Sequence, residues 1–378
     1  MNILFPFPGD SVGGNHWSAI NLYKELRKKS EVNVFIVIHI ADGPLSQLLD
    51  RINIPYTILP IKHLAGENEK LLSIIYRVTL NLRLIYSFII DNKIDIVHGN
   101  DLRINLTWSL PVRISKAKYI WHQRQLLSDS IKWHMIDFLS DYVISISEYV
   151  YKTFPANIGN SKKSIINNPF DIYTLYDKKD SRNIISNRYK INNSFFMIGY
   201  IGRLAPCKNI EIILHALKKI ILTKSCEFKF HLLIVGEGDN EYKRRLINIT
   251  DSNGLKDYVT FTGFVDNSSL ILSSLDLLIA SSTNEPFGRV LVESMLQKTL
   301  VLASNLGGHL EIVQNNKTGL LYDASSVQSL CDQIINVMSK QYSCNNITEL
   351  AYDNATVHYN SSNHADSVIY IYQKLLKL

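Results

Sequence analysis

The chain has four cysteines in 378 residues, and no two of them form a C-x-x-C pair or a zinc-ligand spacing. Cys207, Cys226, Cys331 and Cys344 therefore read as free thiols in a reducing compartment, not as a disulfide or metal framework. No run of 18 apolar residues is free of charge: the most lipid-like segment, Leu71 to Ile90, carries Arg77 and Arg83, which argues against a transmembrane span. The opening MNILFPFPGD lacks a basic start and suits a buried first strand better than a secretion signal. Asn-x-Ser/Thr triplets occur, as at Asn248 and Asn316, and chance explains them in a chain so rich in Asn. A G-x-G-x-x-G fingerprint is missing, which disfavours a dinucleotide-dependent oxidoreductase. An Asp-x-Asp triplet, the arrangement that would hold a divalent cation, is missing too. Without a basic stripe interleaved with aromatics, a nucleic-acid partner is not expected.

What is present describes a globular chain, 46% hydrophobic and 20% charged, long enough for two domains. Residues 1–170 hold 19 Lys+Arg against 14 Asp+Glu, so nearly all of the net +6 sits in the first half. Such a bias favours anionic partners without choosing among them, and a solvated face explains it equally well. Short β-branched runs alternate with longer periodic segments, the pattern of an α/β fold built on parallel sheets. The first series of strands runs from Asn2–Phe7 to Ser164–Asn167, and the second from Phe195–Ile201 to Gly319–Leu321. Helices are expected between them, for example over 16–29 and 70–90. Two such series predict two doubly wound, Rossmann-like domains, with a polar, irregular boundary at 168–193. The last segment, 360–378, carries Val368, Ile369, Ile371, Tyr372, Leu375 and Leu376 as the apolar stripe of one amphipathic helix.

Parallel α/β sheets place ligands at the carboxyl ends of their strands, so polar residues there carry the chemistry. The first strand ends in a turn through Gly13 and Gly14, whose amides would suit an anion or sugar hydroxyl, although a tight strand-to-helix turn would use the same glycines. In the second half, Gly202-Arg203 and Lys208 put a planar fork and a point charge beside a helix start, a combination that fits a diphosphate. Further on, Glu285 and Glu293 bracket the turn Pro286-Phe287-Gly288-Arg289-Val290. Carboxylates accept paired hydrogen bonds from vicinal diols. Helix capping would account for Glu285 but gives Glu293, on a largely apolar helix face, no reason to be there.

Arg203 with Lys208, LLIVGEG (232–238), FTGFV (261–265), EPFGRVLVE (285–293) and Gly307-Gly308 with Glu311 together resemble the C-terminal domain of retaining glycosyltransferases of family 4. In the first half, Gly13-Gly14, Asp95-Ile96-Val97-His98 and Ile120-Trp121-His122 are compatible with the same family. The resemblance implies a GT-B fold, two Rossmann-like domains facing across a cleft: acceptor-binding over 1–170 and donor-binding over 171–355, with 356–378 packing back on the first. It gives Arg203 and Lys208 the nucleotide diphosphate, Glu293 the ribose, Glu285 and the Phe287-Gly288 amides the donor sugar, and His122 the sugar or reacting centre. Gly13, Gly14, Gly202, Gly236, Glu237, Phe264, Val265, Arg289 and Val290 complete the implied donor site. Asn15, His16, His98 and Arg124 are candidates for the acceptor. Arg289 stands where the family is often aliphatic, and Gln123-Arg124 follow His122 where an acid is common. A satisfied core histidine remains an alternative for His122, and a helix cap after the strand remains one for His98.

The implied reaction moves a sugar from a UDP- or GDP-linked donor to a glycan or lipid-diphosphate acceptor, with retention and by front-face attack. Cations and helix amides would stabilise the leaving diphosphate, so no metal or other cofactor is expected. A place in bacterial surface polysaccharide synthesis follows from the family, lipopolysaccharide or capsule being the setting expected. A cytoplasmic chain is expected, peripheral at the inner membrane face, where Lys24, Arg27, Lys28, Lys29, Arg113, Lys116 and Lys118 would meet anionic lipid. Competing readings are an epimerase or phosphorylase of the same fold, or a non-catalytic nucleotide-sugar-binding partner protein.

Overall fold

A computed structural model describes residues 1–61, 63–155, 162–172, 175–223 and 229–378; Cys226 lies outside the described residues. The chain divides into two compact units, Met1–Asp171 with Tyr359–Leu378, and Ile172–His358.

The first unit is built on a parallel sheet of β1 (Asn2–Phe7), β2 (Asn33–Ile38), β3 (Thr57–Ile58), β4 (Ile96–Gly99), β5 (Lys118–Gln123), β6 (Tyr142–Ser145) and β7 (Lys163–Ile165). Its order is β3-β2-β1-β4-β5-β6-β7. Alternate residues of β1, β2 and β5 enter two separate cores, Ile3, Ile36 and Ile120 on one face and Leu4, Val37, Tyr119 and Trp121 on the other. Both faces of the central strands are covered, which is why β1 and β2 read as largely apolar runs. The helix Ser361–Leu376 belongs to this unit: Val368, Ile371 and Tyr372 are buried in the same core as Ile3 and Ile120. Its entry is pinned to Phe170, whose amide donates to the Tyr359 carbonyl at 2.8 Å and whose carbonyl accepts from Ser361 at 3.0 Å.

The helix Leu71–Asp91 is the one described helix long and apolar enough to cross a membrane. Ile74, Val78, Ile85 and Ile89 bury one face of it in the core of the first unit. Its outer face is apolar as well, with Leu72 81% and Tyr76 63% exposed.

The second unit has its own parallel sheet, β8 (Phe196–Ile201), β9 (Phe230–Val235), β10 (Val259–Gly263), β11 (Leu277–Ala280), β12 (Leu300–Ser304) and β13 (Leu320–Tyr322). The order β10-β9-β8-β11-β12-β13 mirrors the first sheet in reversing direction beside its first strand. At such a reversal the loops leaving two neighbouring strands part, and a ligand finds room between them. Here those strands are β8 and β11; in the first unit they are β1 and β4.

Candidate functional site

The loops after β8 and β9 are stitched together. The Gly202 amide donates to the Val235 carbonyl, Leu204 to Glu237, and Asp239 back to Leu204, each at 3.0 Å. Gly236 makes this approach possible: its φ is +129°, and a Cβ there would lie 2.1 Å from the Gly202 carbonyl oxygen. Its backbone amide is already spent on the Gly263 carbonyl at 2.9 Å. Glu237 stays exposed, as does Phe264, 70% exposed just beyond β10, with Val265 half-buried next to it.

On the other side of β8, a short turn Pro206–Lys208 is tied to the loop after β11, where Thr283 donates to the Cys207 carbonyl at 3.0 Å and Ser281 Oγ to that of Lys208 at 2.7 Å. These ties bring Lys208 Nζ to 2.5 Å from Glu285 Oε2, although 77 residues separate them. Each side chain remains about a fifth exposed, so the pair can be reached from solvent. Arg203 is exposed: its carbonyl accepts from Tyr200 Oη at 3.0 Å, and its guanidinium has no ion-pair or hydrogen-bond partner among the described residues. Two cations thus lie along one sheet edge, only one of them partly neutralised.

The loop 285–288 is held from behind. Gly308 donates to the Glu285 carbonyl at 2.9 Å, and a Cβ on Gly308 would be 2.6 Å from the Phe287 Cα. Phe287 is buried and Gly288 caps the helix Arg289–Met295. On that helix Glu293 pairs with Arg289 at 3.3 Å, four residues earlier, while Val290 is half-buried. Glu293, which the sequence left without a reason on a largely apolar face, therefore has a charged partner one helical turn away.

His309 was missed by sequence reasoning. It is buried, and Ser304 Oγ, which gives its proton to the Ser282 carbonyl at 2.6 Å, must accept from His309 Nδ1 at 2.9 Å. Burial lowers its pKa to about 4, against the pull of Glu285, so a neutral ring sits near the Lys208–Glu285 pair. The signal that could have found it is its place directly after Gly307-Gly308, beyond the end of β12, which neighbours β11.

In the first unit the polar residues gather at the ends of β1, β4 and β5. Gly13 precedes the helix Gly14–Leu26, and its amide donates to His16 Nδ1 at 3.1 Å; Gly14 is exposed and Asn15 half-buried. Burial depresses His16 to about 4, and its ring lies 5.6 Å from that of Phe7. Arg103 clasps Asp10 through two bonds of 2.6 and 2.9 Å, which holds the Asp10 carboxyl below its usual range.

His98 and His122 have no accessible surface and meet Nε2 to Nδ1 at 2.9 Å. The remaining nitrogen of His98 lies 2.7 Å from Tyr372 Oη, so His98 has no free atom to offer an acceptor. Arg124, 6% exposed, is held by Asn100 Oδ1 at 3.0 and 2.9 Å and by Asn168 Oδ1 at 2.6 Å. Burial first, then the Arg124 charge, keeps both histidines far below their ordinary pKa. Among the described residues no group of three His, Cys, Asp or Glu side chains is placed to hold a metal ion.

Residues 181–354 match the family of glycosyl transferases, group 1. Over the whole chain the sequence is 26% identical to an uncharacterized glycosyltransferase of Methanocaldococcus jannaschii, covering 98% of it. It is 22% identical to an O-antigen biosynthesis glycosyltransferase of Escherichia coli, over 88% of each chain. Among solved structures, an Anabaena protein crystallised with UDP and glucose superposes with a TM-score of 0.83 at 22% identity, covering 100% of this chain and 99% of its own. A sucrose-phosphate synthase of Thermosynechococcus elongatus gives 0.81 at 18%, covering 100% of this chain and 99% of its own. The fold is GT-B, and the matches together support a glycosyltransferase.

Proposed function

We propose that this chain transfers a sugar from a nucleotide-diphosphate sugar to a hydroxyl of a glycan or lipid-linked acceptor, with retention at the anomeric carbon and without a metal. The observation that carries the reading is the Lys208–Glu285 pair at the carboxyl edge of the second sheet, with Arg203 exposed on the same edge. Cleavage of the donor releases a nucleoside diphosphate, and the charge growing on its phosphate oxygens is what must be stabilised. Lys208 can swing part of its charge from Glu285 to that phosphate, and Glu285, so released, can accept from sugar hydroxyls. A UDP-linked donor is favoured, since one protein of the same fold, from Anabaena, has been crystallised with UDP, with UDP-glucose, and with UDP and glucose. Retention is supported by the family resemblance of the motifs from Arg203 to Glu311. Bacterial polysaccharide synthesis is supported by the O-antigen relative.

Release of nucleoside diphosphate from a panel of UDP- and GDP-sugars, with and without acceptor, tests this. Lys208→Ala and Glu285→Ala are each expected to lower kcat/KM by about 10²–10³. Turnover undiminished in both variants would remove the pair from the reaction. Turnover is expected to be unchanged in excess chelator, and a strict Mg²⁺ or Mn²⁺ requirement would overturn the metal-free mechanism.

The acceptor reading extends to an anionic membrane surface met by the first unit. Of the seven cations considered for it, Lys24, Lys28, Lys29 and Lys118 are engaged with nearby carboxylates. The stronger support is the outward apolar face of Leu71–Asp91, with Leu72, Ile75, Tyr76, Leu80 and Ile90 exposed and Arg83 among them. Leu72→Glu with Tyr76→Glu is expected to abolish flotation with anionic liposomes, and flotation unaffected by the pair would return this face to solvent.

A further inference from the structure

The histidines of the first unit have a hydrogen-bond polarity that can be worked out atom by atom. An arginine only donates, and Arg124 Nη2 lies 3.3 Å from His122 Nδ1. Nδ1 of His122 is therefore an acceptor, and the neutral ring carries its one proton on Nε2. His98 Nε2 lies 2.9 Å from the same Nδ1, so it must be the N–H of that pair. His98 Nδ1 is then left with a lone pair, and it takes the hydroxyl proton of Tyr372 at 2.7 Å. The Phe5 ring, stacked on His98 with centroids 5.0 Å apart, fixes the plane in which these bonds are made.

The relay ends in an unmade bond. His122 Nε2 is buried and has no hydrogen-bond partner. A buried donor with nothing to give its proton to is rare in folded proteins, and it commonly marks a place where a ligand or a water completes the bond. The residues around it leave this N–H in place. His364, whose ring lies 6.2 Å from that of His122, spends its own Nδ1–H on the Asn167 carbonyl at 2.7 Å. Burial holds Tyr372 protonated and holds His98, His122 and His364 neutral, with Arg124 as the one charge that faces them among the described residues.

We propose that Tyr372 is a positioning residue for His122: from the C-terminal helix, through His98, it sets the direction of the hydrogen-bond chain so that His122 offers its Nε2–H to an oxygen of a bound substrate. That this oxygen belongs to a sugar rests on the proposed function; the direction of the relay does not. The relay also gives the return of the C-terminal helix to the first unit a chemical consequence. Tyr372 and His364, eight residues apart and so on one face of that helix, both reach the cluster.

The test uses the full chain labelled with ¹⁵N-histidine. Two-bond proton–nitrogen correlation spectra are expected to show His98 and His122 neutral at pH 7, each with its proton on Nε2. A proton on Nδ1 of either ring, or a charged ring, overturns the proposal. Tyr372→Phe removes only the hydroxyl. It is expected to populate a second tautomer or ring orientation at His98 and His122, and to lower kcat about tenfold with donor KM little changed. Wild-type kcat together with a wild-type ring spectrum in this variant overturns the proposal. Should the variant not fold, the spectrum of the unmodified protein decides alone. Wild-type protein inactive on every nucleotide sugar would sink the proposed function, and the ring spectrum would still decide the relay.

Discussion

Lys208 and Glu285 hold each other at 2.5 Å, so removing either leaves its partner half-buried and uncompensated. A fall in activity of a Lys208 or Glu285 variant must therefore be read beside its stability. Glu293 offers a cleaner separation. Its pair with Arg289 is partly exposed and spans one helical turn, a kind of contact worth only about 0.3–0.5 kcal/mol. Glu293→Gln is expected to leave the melting temperature within about 1 °C, as such a small term implies for a chain of this size. Affinity for a nucleoside diphosphate, read by calorimetry, should fall roughly tenfold or more if the carboxylate receives ribose hydroxyls. An unchanged Kd would leave Glu293 as nothing more than the partner of Arg289. Tyr372 had no motif to announce it, because its partner His98 lies 274 residues away in the chain, whereas His309 was marked only by its place after Gly307-Gly308.

At the scale of elements, the site is made of loops that the sheet forces together. Gly236 illustrates the point: the sequence marked it as part of a ligand loop, and the structure adds that no side chain fits against the Gly202 carbonyl. Gly236→Ala is expected to cost about 2–4 kcal/mol, from the positive φ and from forcing two loops apart, and to weaken donor binding. Gly254, with φ +68° and nothing within 4 Å, is the control. Gly254→Ala should cost only about 1 kcal/mol of backbone strain and leave binding intact. Chemical denaturation with and without nucleotide reads both. The strands themselves were legible within a residue or two, because short apolar runs such as Leu232–Val235 have few other ways to be buried. What the sequence could not show is which loops meet, since strand order is fixed by the crossovers and not by composition.

For the whole molecule, buried histidines set the response to acid. His16, His39 and His309 are depressed to about 4 and His364 to about 3, all by burial, while the unfolded chain takes up these protons near 6.5. The stability they contribute is complete above pH 6.5 and is lost as the pH falls toward 4, because the unfolded state binds protons first. Each can remove up to about 1.4 kcal/mol per pH unit in that window. The carboxyls of Asp10 and Asp276 are lowered as well, so their loss comes later, below about pH 4. Thermal unfolding followed from pH 7.5 to 5 is therefore expected to show a steep fall in midpoint, and a flat profile would mean that the rings are charged in the folded chain.

The sequence by itself determined the α/β class, the two series of strands, the polar strand-end motifs from Arg203 to Glu293 and the amphipathic last helix, because these depend on local periodicity and on residue types at strand ends. Only the tertiary structure decided that Lys208 lies against Glu285, that His309 stands beside them, and that Tyr372, 274 residues from His98, reaches it. Those contacts join strands and helices distant in sequence, and the geometry of packed sheets alone makes them neighbours.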